Sequence, residues 1–231
     1  MVEELSLKNS DTVFEIGPGK GAVTKILIEQ RRNHGFSYTG IEKDDFLYSE
    51  LTTAFPNTTF VNKDALEYFR TQHLVAFKVC GSLPYNVATS IINLLCKLTS
   101  PPKMCVFLVQ FEFGQKLGGK ETMNAVAAFV QGFYTVELVK KVKNTLFFPI
   151  PKVDGAIIKL TYKGNEIDPF RYEKFIRRFF SQPRKMMNKV FTEVELQTMR
   201  LDSTKRPADF TIEEILTAYY NLQDKSPLQA S

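Results

Sequence analysis

The chain has 231 residues, 44% of them hydrophobic, and a formal net charge of +5, enough for one α/β domain of ordinary size with a proper core plus a small appendage. Its longest apolar runs are far shorter than a membrane span and no positively flanked apolar segment opens it, so neither a spanning helix nor a secretory signal is expected. A soluble, intracellular protein that contacts no membrane is therefore expected. Cys80, Cys96 and Cys105 are odd in number, lie in or beside apolar segments and lack Cys-x-x-Cys spacing, so they read as buried free thiols rather than disulfides or zinc ligands. His34 and His73 lie in polar connecting stretches and point to nothing.

Taken in chain order, Thr12–Ile16 reads as a short buried strand, broken by Gly17-Pro18-Gly19-Lys20-Gly21 before a helix-like run from Ala22 to Gln30. Glycines in such a turn let the backbone approach a ligand closely. The spacing is neither that of dinucleotide enzymes nor that of a P-loop. Glu15, at the strand end, would repel a phosphate and suit a cationic or amine-bearing ligand. The next strand, 37–41, ends in Glu42, where a carboxylate commonly holds a ribose diol. A third, 59–61, precedes Asp64, which is placed to accept a hydrogen bond from an adenine amino group. Each acid alone reads as a solvated charge or a helix cap; their recurrence at successive strand ends points instead to a ligand at the carboxyl edge of an open α/β sheet.

After a strand at 76–81, the loop Gly81-Ser82-Leu83-Pro84-Tyr85-Asn86-Val87 combines a hydroxyl, a rigid turn and an aromatic ring. Proline fixes its own φ and pushes the residue before it to an extended conformation. The Ser82 hydroxyl and the Leu83 carbonyl would accept the two hydrogens of an exocyclic amine, and Tyr85 offers a face for stacking. The bland alternative is a strand-to-helix turn with a buried tyrosine. Strands at 104–110, 134–142 and 154–162 follow, the last two as an antiparallel hairpin. A linker at 162–169 leads into purely helical patterns over 170–222 and a frayed tail from Gln223. The expected division is 1–162 and 163–231.

Between Arg171 and Lys189 the chain carries Arg171, Lys174, Arg177, Arg178, Arg184, Lys185 and Lys189 against the single acid Glu173, interleaved with Phe170, Tyr172, Phe175, Phe179 and Phe180. This reads as one helix with an aromatic face toward the core and a basic face toward RNA phosphate. A solvated amphipathic helix is the plain alternative.

Five segments carry a family resemblance: Glu15–Gly21, Ile41-Glu42, Asp64-Ala65, Gly81–Asn86 and the run from Phe147 to Asp154. In this order they resemble the rRNA adenine N6-dimethyltransferases, the KsgA/Dim/Erm group, and segments 180–188 and 206–210 look closer to its KsgA branch. The resemblance covers roughly residues 5–222. It implies a Rossmann-like class I S-adenosylmethionine-dependent methyltransferase sheet with a small C-terminal helical domain. It also implies direct transfer of a methyl group, without a metal, to adenines of rRNA in the pre-ribosomal small subunit. Cofactor contacts would come from Glu15, Gly17, Gly19, Glu42, Lys43, Asp64, Ala65 and Ser82. The target base would meet Ser82, Leu83 and Pro84 between Tyr85 and Phe147.

The chain departs from the family pattern in three places. Ser82 stands where the family has asparagine, although amino-methyltransferases acting on DNA cytosine are similar in using serine there. Gln110 is followed by Phe111-Glu112 instead of Lys-Glu. Only ten residues precede Asp11, so the opening Gly-Gln-x-Phe-Leu segment of the family is expected to be missing. Two other readings stay open: an Erm-type methylase of large-subunit rRNA, or a weakened RNA-binding, assembly or mitochondrial transcription factor of the same fold. A monomer in the cytoplasm is expected, with a mitochondrion or other organelle as the alternative.

Overall fold

A computed structural model describes residues 1–118, 122–146 and 150–224, apart from the side chains of Tyr85 and Asp224. Seven strands form one sheet: β1 Thr12–Ile16, β2 Ser37–Glu42, β3 Thr59–Asn62, β4 Phe77–Ser82, β5 Met104–Gln110, β6 Tyr134–Val142 and β7 Gly155–Tyr162. Their spatial order is β3-β2-β1-β4-β5-β7-β6. The first five are parallel; β7 runs antiparallel to both β5 and β6. Apolar runs on both faces of β1, β4 and β5 are what a sheet covered by helices on each side demands.

Alternation along β1 divides the core. Val13 faces one side with Leu27, Tyr38, Leu51, Phe60 and Cys80, and Phe14 faces the other, its ring 5.6–5.9 Å from those of Tyr68, Phe69 and Phe77. Helices α1 Ala22–His34, α2 Asp45–Ala54, α3 Ala65–Thr71 and α4 Tyr85–Cys96 connect the parallel strands, and α5 Phe111–Leu117 follows β5. Asp44 and Asp64 cap α2 and α3 by accepting backbone N–H groups of their first turns. At the amino edge of the sheet, buried Lys78 donates to the Leu5 and Ser6 carbonyls and to Asp11 Oδ2, at 2.7–3.0 Å. Three acceptors compensate a charge that would otherwise be costly to bury, and they fix the opening segment, whose Val2 and Leu5 are buried. The three cysteines are buried and free, and burial pushes their thiols up.

The compact units differ from the expected division at 162. One comprises Met1–Gly114 and Tyr134–Lys163; the other comprises Gln115–Phe133 and the chain from Gly164 onward. Helix α6, Ala125–Phe133, is buried over nearly its whole surface, too apolar to be a surface helix. Its cover comes from far along the chain. The Tyr172 hydroxyl donates to the Ala128 carbonyl at 3.0 Å, and a side chain on Gly132 would collide with the Tyr172 ring. Helices α7 Pro169–Phe179, α8 Glu193–Met199 and α9 Ile212–Asp224 complete this unit. The Tyr172 and Tyr219 rings lie 4.9 Å apart, and those of Phe179 and Phe210 5.4 Å apart.

The single helix expected over 171–189 is also shorter. It ends at Phe179, where the Phe180 amide closes the last turn on Ile176, and Lys185 N–H then donates to Gln182 in a separate turn around Pro183. Phe170, expected on the aromatic core face, is 66% exposed. Among the described residues no helix is long and apolar enough to cross a membrane.

Candidate active site

The carboxyl ends of β1 to β4 enclose a cavity of roughly 230 Å³, at the place where strand order reverses between β1 and β4 and where open α/β sheets bind ligands. Ile16 and Gly17 line it where β1 ends, while Gly19, expected to contact the cofactor, does not line it and acts on it through Glu42. Gly17, Gly19 and Gly21 all have left-handed φ, between 60° and 78°, a conformation that any side chain would strain. Gly17 N–H donates to the Ile41 carbonyl at 2.9 Å. Glu42, buried at the end of β2, accepts from Gly19 N–H at 3.0 Å through one oxygen and from Asp44 N–H at 3.1 Å through the other. The carboxylate thus braces the glycine turn while lining the cavity beside Lys43.

Asp64 and Ala65 line the opposite wall. Both capping bonds of Asp64, from Leu66 and Glu67, go to Oδ1. The helix cap and the ligand contact, alternatives when read from sequence, are therefore compatible on one side chain.

The third wall is the loop after β4. A Cβ on Gly81 would run into the Ile16 carbonyl, so only glycine lets β4 pass this close to β1. Leu83 N–H donates to the Leu108 carbonyl at 2.9 Å and Pro84 sits at φ −60° and ψ 146°, which holds Ser82, Leu83 and Pro84 at the cavity wall. The Pro84 carbonyl then accepts from Val87 and Ala88 and starts α4. The Tyr85 side chain and Phe147 lie outside the described residues.

Glu15 is placed differently from the expectation. It lies on the Val13 face of β1, is 2% exposed, and accepts from Tyr38 Oη at 2.6 Å and Thr24 Oγ1 at 2.8 Å. Gly40, its partner on β2, leaves room for this, since a Cβ there would meet the Phe60 ring at 2.6 Å and the Tyr38 hydroxyl at 2.9 Å. Burial raises the Glu15 carboxyl above its ordinary range despite both bonds, and burial raises Tyr38 likewise. Glu15 therefore supports the first turn of α1 from the sheet face on which that helix packs, and it does not line the cavity.

Ile16, Ile41, Lys63, Leu66, Asn86, Val87 and Ile91 also line the cavity; several lie in the segments that carry the family resemblance, but none was expected as a cofactor or base contact. Val87 and Ile91 are four apart, one helix face of α4, the signal that could have found them. Lys63 pairs with Glu67 at 3.1 Å.

In the helical unit the seven basic residues are all exposed but not equivalent. Arg178 makes a two-point pair with Glu195 at 2.6 and 2.8 Å and stands 4.4 Å over the Phe191 ring. Arg177 reaches Glu173 at 3.3 Å. Arg171, Lys174, Arg184, Lys185 and Lys189 make no ion pair with a described residue.

Strand order, the glycine turn and the closing antiparallel hairpin define a Rossmann-like class I methyltransferase fold, which two solved structures share. One is the 23S rRNA methyltransferase ErmE (24% identity, TM-score 0.75, 96% of this chain and 94% of that one). The other is a dimethyladenosine transferase from Plasmodium falciparum (20%, TM-score 0.78, the same coverages). The sequence profile described as ribosomal RNA adenine dimethylase matches residues 1–224, and the chain belongs to that family. Its relatives include the ribosomal RNA small subunit methyltransferases A of Maridesulfovibrio salexigens (33% identical over 201 residues, 82% of this chain and 74% of that protein) and Persephonella marina (30% over 230 residues, 95% and 86%).

Proposed function

We propose that the chain transfers methyl groups from S-adenosylmethionine to the N6 amines of adenines in small-subunit rRNA. The observation that carries this reading is the single cavity into which Glu42, Asp64 and the Ser82-Leu83-Pro84 loop all open. Its donor set suits that cofactor: a carboxylate braced beside the glycine turn for a diol, a second acid for an adenine amine, and the apolar Ile16, Ile41 and Leu66 between them. When bound, S-adenosylmethionine supplies an already activated methyl group. The small-subunit assignment follows the names of the relatives.

The residues align and desolvate the nucleophile. An exocyclic adenine nitrogen is a poor nucleophile because its lone pair is delocalised into the ring. Accepting its hydrogens at Ser82 Oγ and the Leu83 carbonyl favours the tetrahedral nitrogen of the transition state. The base must leave its stack to arrive there, and Tyr85 and Phe147 are the residues proposed to flank it. Arg171, Lys174, Arg184, Lys185 and Lys189 are the proposed phosphate contacts of the helical unit.

Labelled methyl transfer to unmodified small-subunit and large-subunit rRNA, followed by mass spectrometry of the digested product, tests this. Dimethyladenosine in small-subunit RNA is expected. Methylation confined to large-subunit RNA, or absent from both, refutes the reading.

A further inference from the structure

The turn between β6 and β7 emerges at the same edge of the sheet as the cavity. Gly155, which opens β7, lies opposite both Gln110 at the end of β5 and Val142 at the end of β6. The register jumps between Leu138 and Lys140, and a bulge of this kind breaks strict alternation and re-aims side chains. Lys140 and Lys141 are accordingly both exposed. Residues 140–154 hold four lysines and one acid.

That acid is committed to structure. Asp154 accepts from Lys141 Nζ and from Asn144 N–H, each at 2.9 Å, while its carbonyl accepts from Phe111 N–H. Lys141 Nζ also stands 4.4 Å over the Phe111 ring, and Asn144 Nδ2 ties the two arms of the turn through the Pro151 carbonyl at 3.1 Å. The base of the turn is thereby fixed to the end of β5. Lys140, Lys143 and Lys152 remain exposed and make no ion pair with a described residue, and they share the turn with Leu146 and Ile150, 76% and 64% exposed. The other end of this sheet edge is net acidic, with Glu42, Asp44, Asp45 and Asp64 against Lys43 and Lys63 around β2 and β3.

We infer that this turn is a second RNA-contacting surface, built on the sheet unit itself, which takes the phosphates flanking the target nucleotide. The inference rests on the rRNA reading above. Extruding a base into the cavity requires the backbone on either side of it to be held at the mouth, and phosphate contacts supply that positioning without reading sequence. Repulsion from the acidic end and attraction to the three lysines orient an anionic strand along the edge, with Leu146 and Ile150 available to unstacked neighbours.

The test uses the full chain and unmodified small-subunit rRNA transcribed in vitro. Lys140→Glu/Lys143→Glu/Lys152→Glu should lower the slope of log affinity against log salt by about 2–3, since each phosphate contributes ~0.7–0.9, with S-adenosylmethionine affinity unchanged. Lys8→Glu/Lys103→Glu, exposed positions at the opposite edge of the same sheet, controls for bulk charge and should lower the slope by less than half as much. Asp154→Asn keeps the three lysines but loosens the turn, and should weaken RNA binding less than the triple reversal. An unchanged slope in the triple variant, or an equal fall in the control, overturns the inference and leaves the methyltransferase reading standing. A wild-type chain that fails to bind RNA overturns both. A triple variant that loses binding to anionic phospholipid vesicles while holding RNA as before overturns the inference alone, since it would make the turn a membrane contact.

Discussion

The two units hold their functional side chains in different ways. In the sheet unit the cavity-lining acids are fixed by backbone: Glu42 by the amides of Gly19 and Asp44, Asp64 by those of Leu66 and Glu67. In the helical unit the arginines that are held at all are held by other side chains, Arg178 by Glu195 and Arg177 by Glu173. A side chain gripped by amides inherits its place from the local chain path, so spacing alone reveals it. A charge gripped by another charge depends on a partner elsewhere in the sequence, and the composition of its own stretch says little about its task.

The largest effect should come from breaking the chain path of the sheet unit. Gly81→Ala sets a methyl group against the Ile16 carbonyl and should lower stability by about 3 kcal/mol, read as a fall in the urea midpoint. An unchanged midpoint would mean that β4 shifts freely and that the strands do not fix the cavity wall.

Next in size is the cofactor contact. Asp64→Ala should weaken S-adenosylmethionine binding by about 1–3 kcal/mol, measured by calorimetry, with a separate loss of about 1 kcal/mol in stability from the missing cap. Unchanged affinity in both Asp64→Ala and Glu42→Ala would remove the sheet unit's claim to the ligand.

The smallest effects sharpen the helical side. Arg178→Ala should cost about 0.5–1 kcal/mol and Arg177→Ala almost nothing, as exposed pairs do. The Arg178 bonds, helped by the Thr192 amide and hydroxyl, hold the Glu195 carboxyl down at about 2, against an unfolded glutamate near ~4.3. Because the folded value is the lower one, this stabilisation is present above the unfolded value and is lost as pH falls toward about 2. Denaturation midpoints of wild type and Arg178→Ala should therefore converge between those limits, and parallel midpoints would deny the pair its role.

All seven strands were legible because apolar runs bounded by glycine, proline and polar turns leave little choice of place. The cavity residues were legible where they end strands. Glu15 was misplaced because it also ends a strand, yet alternation puts it on the Val13 face, two residues on, where Tyr38 from another strand meets it. The unit boundary was hidden for a related reason. What assigns α6 is its cover by Tyr172 and its neighbours, a tertiary contact that no local composition announces. The stop of α7 at Phe179 was missed because the basic composition continues past it while the hydrogen bonding does not.

The detached position of α6 bears on how the chain is made. Tyr172 follows Ala128 by 44 residues, so at ribosomal speeds of about 5–20 residues per second α6 waits on the order of seconds for its cover. Throughout that interval its apolar sides are open to water and to chaperones. A stop codon placed in the 163–168 linker would make the interval permanent, releasing a complete seven-stranded sheet burdened with an uncovered helix. Aggregation during synthesis, rather than a soluble half-protein, is the expected fate of such a truncation.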